Sequence, residues 1–139
     1  MRYEKGELFY SPSDLMVFME SPFASWCERL IILDPEYKKF MDPEDDVLKL
    51  LSQKGIEHEN KFLQELKTDQ NLNITEIQSD DNEQKRLETL AAMRNGSDII
   101  YQGFLHNDNF NGFPDFLFKE KGGSDLGEFH YIIKDTKLA

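Results

Sequence analysis

The sequence predicts an α/β chain of the α+β kind, with helices first and a sheet assembled late. Three observations predict it. Apolar residues recur at helical spacing through much of residues 11–95, and strand-like runs rich in β-branched and aromatic residues occupy about residues 98–137. The last two runs flank Lys121-Gly122-Gly123-Ser124-Asp125-Leu126-Gly127, which has the glycines and polar residues of a loop between antiparallel neighbours. With 139 residues the chain has room for one domain and one modest core.

Ser11-Pro12-Ser13-Asp14 supplies N-cap candidates ahead of Leu15, Met16, Phe18 and Met19, predicting a short helix to about residue 20. Pro22 ends or restarts it, and Phe23, Trp26, Leu30, Ile31 and Leu33 predict a second helix packed on the core. Asp34-Pro35 to Pro43 reads as a polar linker. Pro43-Glu44-Asp45-Asp46 reads as an acidic first turn that complements the helix dipole and opens the longest helix, running to about Leu66. After a polar segment, Ile74-Thr75-Glu76-Ile77 reads as a short strand. Ser79-Asp80-Asp81 caps a helix carrying Leu87, Leu90, Ala91 and Met93, which Asn95-Gly96 ends. Asp98 through Leu105 predicts one continuous strand, and Asn107-Asp108-Asn109-Phe110-Asn111-Gly112 a hairpin turn. That turn imitates the start of a calcium loop, but Phe118 falls where a bidentate Glu is needed.

The chemistry concentrates in the last third. Gly112-Phe113-Pro114-Asp115-Phe116-Leu117-Phe118 and Tyr131-Ile132-Ile133-Lys134-Asp135-Thr136-Lys137 each carry an acid, and pairing the two runs brings Asp115 and Asp135 together. Alternation along a strand puts Asp135 and Lys137 on one side and Thr136 on the other. Two close carboxylates repel unless a cation lies between them, and hard oxygen ligands suit Mg2+ or Mn2+. A lysine beside them would hold a water or an anionic phosphate, an arrangement suited to metal-assisted phosphodiester hydrolysis.

On the long helix, Leu48, Leu51, Gly55, Phe62, Leu63 and Leu66 share one face. Glu59 lies roughly 30° from the centre of that stripe and His58 roughly 70°. A carboxylate on an apolar stripe carries a desolvation cost unless a partner or metal offsets it, so Glu59 is the more demanding of the two. The plainer alternative is that both are partly exposed helix residues.

Apolar residues make up 39% and charged residues 31%, ordinary for a soluble globular chain, and no apolar run is long enough to span a membrane. Met1-Arg2-Tyr3-Glu4-Lys5-Gly6 lacks the apolar stretch of a secretory signal, and the single Cys27 has no internal disulfide partner; both point to the cytoplasm. The net charge of -11 gives general repulsion toward nucleic acid, so a DNA-binding surface would have to be local or supplied by a partner. His58, His106 and His130 show no zinc spacing with each other or with Cys27.

Pro114-Asp115 followed by Asp135-Thr136-Lys137 resembles the PD-(D/E)XK signature of the restriction-endonuclease-like superfamily. Gly55-Ile56-Glu57-His58-Glu59 on a helix, Ile100-Tyr101-Gln102-Gly103-Phe104-Leu105 ahead of the first acid, and Ser13-Asp14-Leu15 near the start are similar to its RecB-like branch. The resemblance covers about residues 11–139 and implies a central mixed sheet flanked by helices. It also implies a helix with a Q-x-x-x-Y motif and further strands beyond the lysine, which these residues do not contain. The chain then reads as the amino-terminal part of one RecB-like nuclease domain, residues 1–139, incomplete at its carboxyl end and inactive alone.

The implied activity is metal-dependent DNA hydrolysis in DNA processing or repair, with Asp115, Asp135 and Lys137 catalytic. The implied ligands of Mg2+ or Mn2+ are Asp115, Asp135, the backbone carbonyl of Thr136, and Glu59 or His58 through a water. The branch's G-x-x-x-H spacing counted from Gly55 lands on Glu59, whereas residue type favours His58. Gln102 and Tyr101 are secondary candidates near the site. In this branch an iron–sulfur cysteine can precede the early proline, but that position is Ser21 here, and the lone Cys27 six residues on reads as a small core residue. Implied partners are DNA and a helicase or further nuclease-like region downstream. The competing reading is a non-catalytic nuclease-like module that packs against a larger DNA-processing protein, which the acidic balance favours.

Overall fold

In the smaller of two units, Met1–Pro43 with His106–Gly112, the first hairpin joins β1 (Arg2–Glu4) to β2 (Glu7–Phe9). Its two turn residues, Lys5 and Gly6, both have positive φ, 51° and 89°, matching the right-handed twist of the strands. The structure is a computed structural model and describes residues 1–43 and 45–137. Helix α1 (Pro12–Glu20) opens with Pro12 in its first turn, and the Ser11 N–H donates to Asp14 Oδ2 at 2.6 Å. Helix α2 (Pro22–Leu33) restarts at Pro22, with Ser21 Oγ accepting from the Ala24 N–H at 3.2 Å. The expected linker contains a 3-10 helix, Pro35–Phe40, which Asp34 caps by accepting from the Glu36 N–H at 3.1 Å. Cys27 is half-buried.

The larger unit, Glu44–Leu105 with Phe113–Ala139, begins with α3 (Asp46–Lys67). Asp45 is its N-cap and accepts from the Val47 N–H at 2.8 Å, so the expected acidic first turn corrects to one cap and Asp46; Glu44 lies outside the described residues. Strand β3 (Ile74–Glu76) follows, then α4 (Asn82–Arg94), capped by Asp81 through the Gln84 N–H at 2.8 Å. Strand β4 spans only Ile99–Tyr101. The continuous strand expected through Leu105 is broken because Gln102 adopts φ 57°, and Gly103 lies where a Cβ would come within 3.1 Å of Leu117 Cδ1.

The expected hairpin is present as β5 (Leu105–Asn107) and β6 (Phe110–Gly112), with Asp108 at φ 50° in the turn. Strands β7 (Phe116–Ser124) and β8 (Gly127–Lys134) pair antiparallel through most of the segment expected to be a loop. The register shifts between Lys121 and Ser124, and Gly122 there has φ 149° with the His130 ring 2.8 Å from where its Cβ would stand. A glycine-bearing bulge thus lets the pair continue where glycine content alone suggests a turn.

Among the described residues these strands form a four-stranded mixed sheet in the order β3-β4-β7-β8, with β3 and β4 parallel and the remaining pairs antiparallel. On one face Ile99 and Phe116 pack with Leu63 of α3, joined by Phe62, Leu66, Tyr101 and Phe118. On the other, Ile100 and Leu117 pack with Ala92 of α4 and Ile77. The alternation of β4 and β7 therefore feeds two cores, giving a helix–sheet–helix sandwich. Thr89, fully buried on α4, accepts from the Phe104 N–H at 3.0 Å and donates to the Lys85 carbonyl at 2.8 Å, satisfying the backbone where β4 breaks off. Among the described residues no helix is long and apolar enough to cross a membrane.

Candidate functional site

The last register pair at this end of the β7–β8 ladder is Phe116 with Lys134, so Asp115 and Asp135 are the next residues off the two strands. Asp135-Thr136-Lys137 is therefore not in a strand, and the expected alternation of Asp135 and Lys137 does not apply there. Across the gap to β7 the Thr136 N–H donates to Asp115 Oδ2 at 3.2 Å. Asp115 and Thr136 are half-buried, while Asp135 and Lys137 are exposed.

Burial, and then the charges of Glu59 and Asp135, push the Asp115 carboxyl above its ordinary pKa, against the Thr136 N–H and Lys137, which favour the ionised form. Glu59, Asp135 and Lys137 thus all lie within electrostatic reach of Asp115. Glu59 is half-buried on the sheet side of α3, and His58 beside it is exposed. Of the two α3 residues, Glu59 is the one brought to this end of the sheet, in keeping with its place near the apolar stripe.

Glu59 is held by two donors from the end of β4. Gln102 Nε2 donates to Glu59 Oε1 at 2.5 Å, and the Tyr101 hydroxyl bonds the same carboxylate. Burial first, and then Glu59, push that hydroxyl up to about 12. The Gln102 N–H donates to the Asp115 carbonyl at 2.9 Å, which ties the end of β4 to the start of β7. The contact between Gln102 and Glu59 joins residues 43 positions apart, and the only hint of it in the chain is a glutamine standing just before Gly103 at a strand end.

No family model, curated protein or solved structure matches this chain. Its chemistry is therefore read from the side chains near this end of the sheet, Asp115, Asp135 and Glu59, whose carboxylate oxygens are of the kind that suits a hard divalent cation. Among the described residues no three His, Cys, Asp or Glu side chains form a group that would hold a metal ion together. A positive ion would relieve the repulsion that raises the Asp115 pKa.

Proposed function

We propose that the chain is part of a metal-dependent DNA nuclease with a restriction-endonuclease-like core of the RecB-like branch. The observation that carries the reading is Asp115, a half-buried acid one residue off the β7–β8 ladder and within electrostatic reach of Glu59, Asp135 and Lys137, with its pKa raised by burial and by the two acids. The sandwich of α3, sheet and α4, and the spacing of Pro114-Asp115 and Asp135-Thr136-Lys137, support the same reading. Asp115, Asp135 and the Thr136 carbonyl would hold Mg2+ or Mn2+, with Glu59 behind a water. When bound, such an ion supplies Lewis-acid stabilisation of the charge that builds on the phosphate. Lys137, exposed and uncommitted to the ion, would hold the attacking water and the scissile phosphate.

A non-catalytic module that packs on a larger DNA-processing partner is the second reading. The first turns of α3 favour it, where Val47, Leu48, Leu50 and Leu51 are all exposed.

In the longer protein of which the chain is proposed to be part, a divalent-cation titration paired with cleavage assays on single- and double-stranded DNA, in Mg2+ and in Mn2+, separates the two. Asp115→Ala is expected to lose both ion binding and cleavage. Lys137→Ala is expected to keep the ion and lose cleavage by a factor of about 100 or more. Cleavage at the parent rate by Lys137→Ala, or normal binding and cleavage by Asp115→Ala, would remove the site from consideration.

A further inference from the structure

We infer that Gln102 is a positioning residue that fixes the Glu59 carboxylate for the cation site, an inference that rests on the proposed function above. Gln102 has φ 57°, a left-handed conformation in which a side chain with a Cβ is strained and a glycine is not. Glutamine has no special tolerance for that region, unlike asparagine or aspartate. Its presence there calls for a compensating contact.

The Glu59 carboxylate supplies that contact. The Gln102 N–H is anchored on the Asp115 carbonyl at 2.9 Å, and the left-handed turn takes the side chain out of the β4 alternation to Glu59, where Nε2 donates to Oε1 at 2.5 Å. One residue thus touches the backbone of one acid and the carboxylate of another. An amide also suits the task chemically. Lysine or arginine would hold Glu59 equally well but would cancel the negative charge that attracts the ion, whereas a neutral donor orients the carboxylate and leaves its charge intact. A carboxylate has about four acceptor positions, so the bonds from Gln102 and Tyr101 leave room for a water or an ion.

The test is Mn2+ titration and thermal melting of the chain, its Gln102→Gly and Gln102→Asn variants, and each paired with Glu59→Gln. Gln102→Gly relieves the backbone, so its melting temperature is expected to equal or exceed the parent's while Mn2+ affinity falls about tenfold. Gln102→Asn tolerates the same φ but is one methylene short, and is expected to weaken binding to a similar degree. In the Glu59→Gln background, Gln102→Gly is expected to change affinity less than about twofold, because the carboxylate it positions is gone. A purely structural role would move stability and affinity in the same direction. Parent-like affinity in Gln102→Gly, or an undiminished loss in the Glu59→Gln background, overturns the inference alone. A parent chain that takes up no Mn2+ overturns the site and this inference with it.

Discussion

Asp115 and Asp98 lie at opposite ends of β4 and answer pH in opposite senses. Burial and neighbouring acids raise the Asp115 pKa, so its ionised form burdens the fold. The Lys119 ammonium at 2.7 Å, then the Asn73 N–H, lower the Asp98 pKa, so its ionised form supports the fold. For a raised carboxyl the relative stabilisation is present below the unfolded value, about 3.9, and is lost as pH rises through the folded value. For a lowered one it is present above the unfolded value and is lost as pH falls through the folded value. Asp115→Asn is therefore expected to stabilise the chain at pH 7, the gain fading as pH falls through the raised folded value and gone below about 4. Asp98→Asn is expected to destabilise it at pH 7, with the cost fading on the same acid side. Urea melts at pH 7 and pH 3 check both, and a destabilised Asp115→Asn at pH 7 would contradict the first. The approach of Asp115 and Asp135 was legible in the sequence because the runs carrying them pair as β7 and β8, although both acids fall just off the paired residues. The bond from Gln102 to Glu59 was not, because residue type does not reveal a left-handed backbone or a contact across 43 positions.

On α3 the apolar stripe reads as continuous in the sequence, yet only its second half is used by the sheet. Leu63 is 2% exposed, and Phe62 and Leu66 pack beside it, whereas Leu48 is 64% exposed. Periodicity shows which face is apolar but not how far along the helix the sheet extends. Leu63→Ala is accordingly expected to cost about 2–5 kcal/mol, and Leu48→Ala to stay within about 0.5 kcal/mol of the parent. Chemical denaturation of the two variants decides it, and equal losses would show that the first turns of α3 are covered in solution. The strands were legible in kind and misjudged in extent. Glycine content suggested a loop where a bulge at Gly122 keeps β7 and β8 paired, and the strand through Leu105 stops at Tyr101. In both places a backbone conformation decides the outcome, and a hydrophobic pattern does not carry it.

Across the whole chain the surplus of acids, net -11, is the main obstacle to a nuclease reading, since any acidic surface gathers divalent ions loosely. A nuclease site requires one place to be preferred, which under the proposed function is where burial, Asp115, Asp135, the Thr136 carbonyl and Glu59 act together. The mixed helix-and-sheet class was legible from the order of helical and strand-like runs. The division into two units was not, because the β5–β6 hairpin joins the smaller unit from far along the chain. The most direct measurement is the map of amide NMR signals broadened by substoichiometric Mn2+, since paramagnetic broadening falls steeply with distance from the ion. The amides of Gln102, Asp115, Asp135, Thr136 and Glu59 are expected to broaden first and together, and Asp115→Ala is expected to abolish the pattern. Broadening that begins instead around Asp45 and Asp46 or Asp80 and Asp81, or that is unchanged in Asp115→Ala, would contradict it.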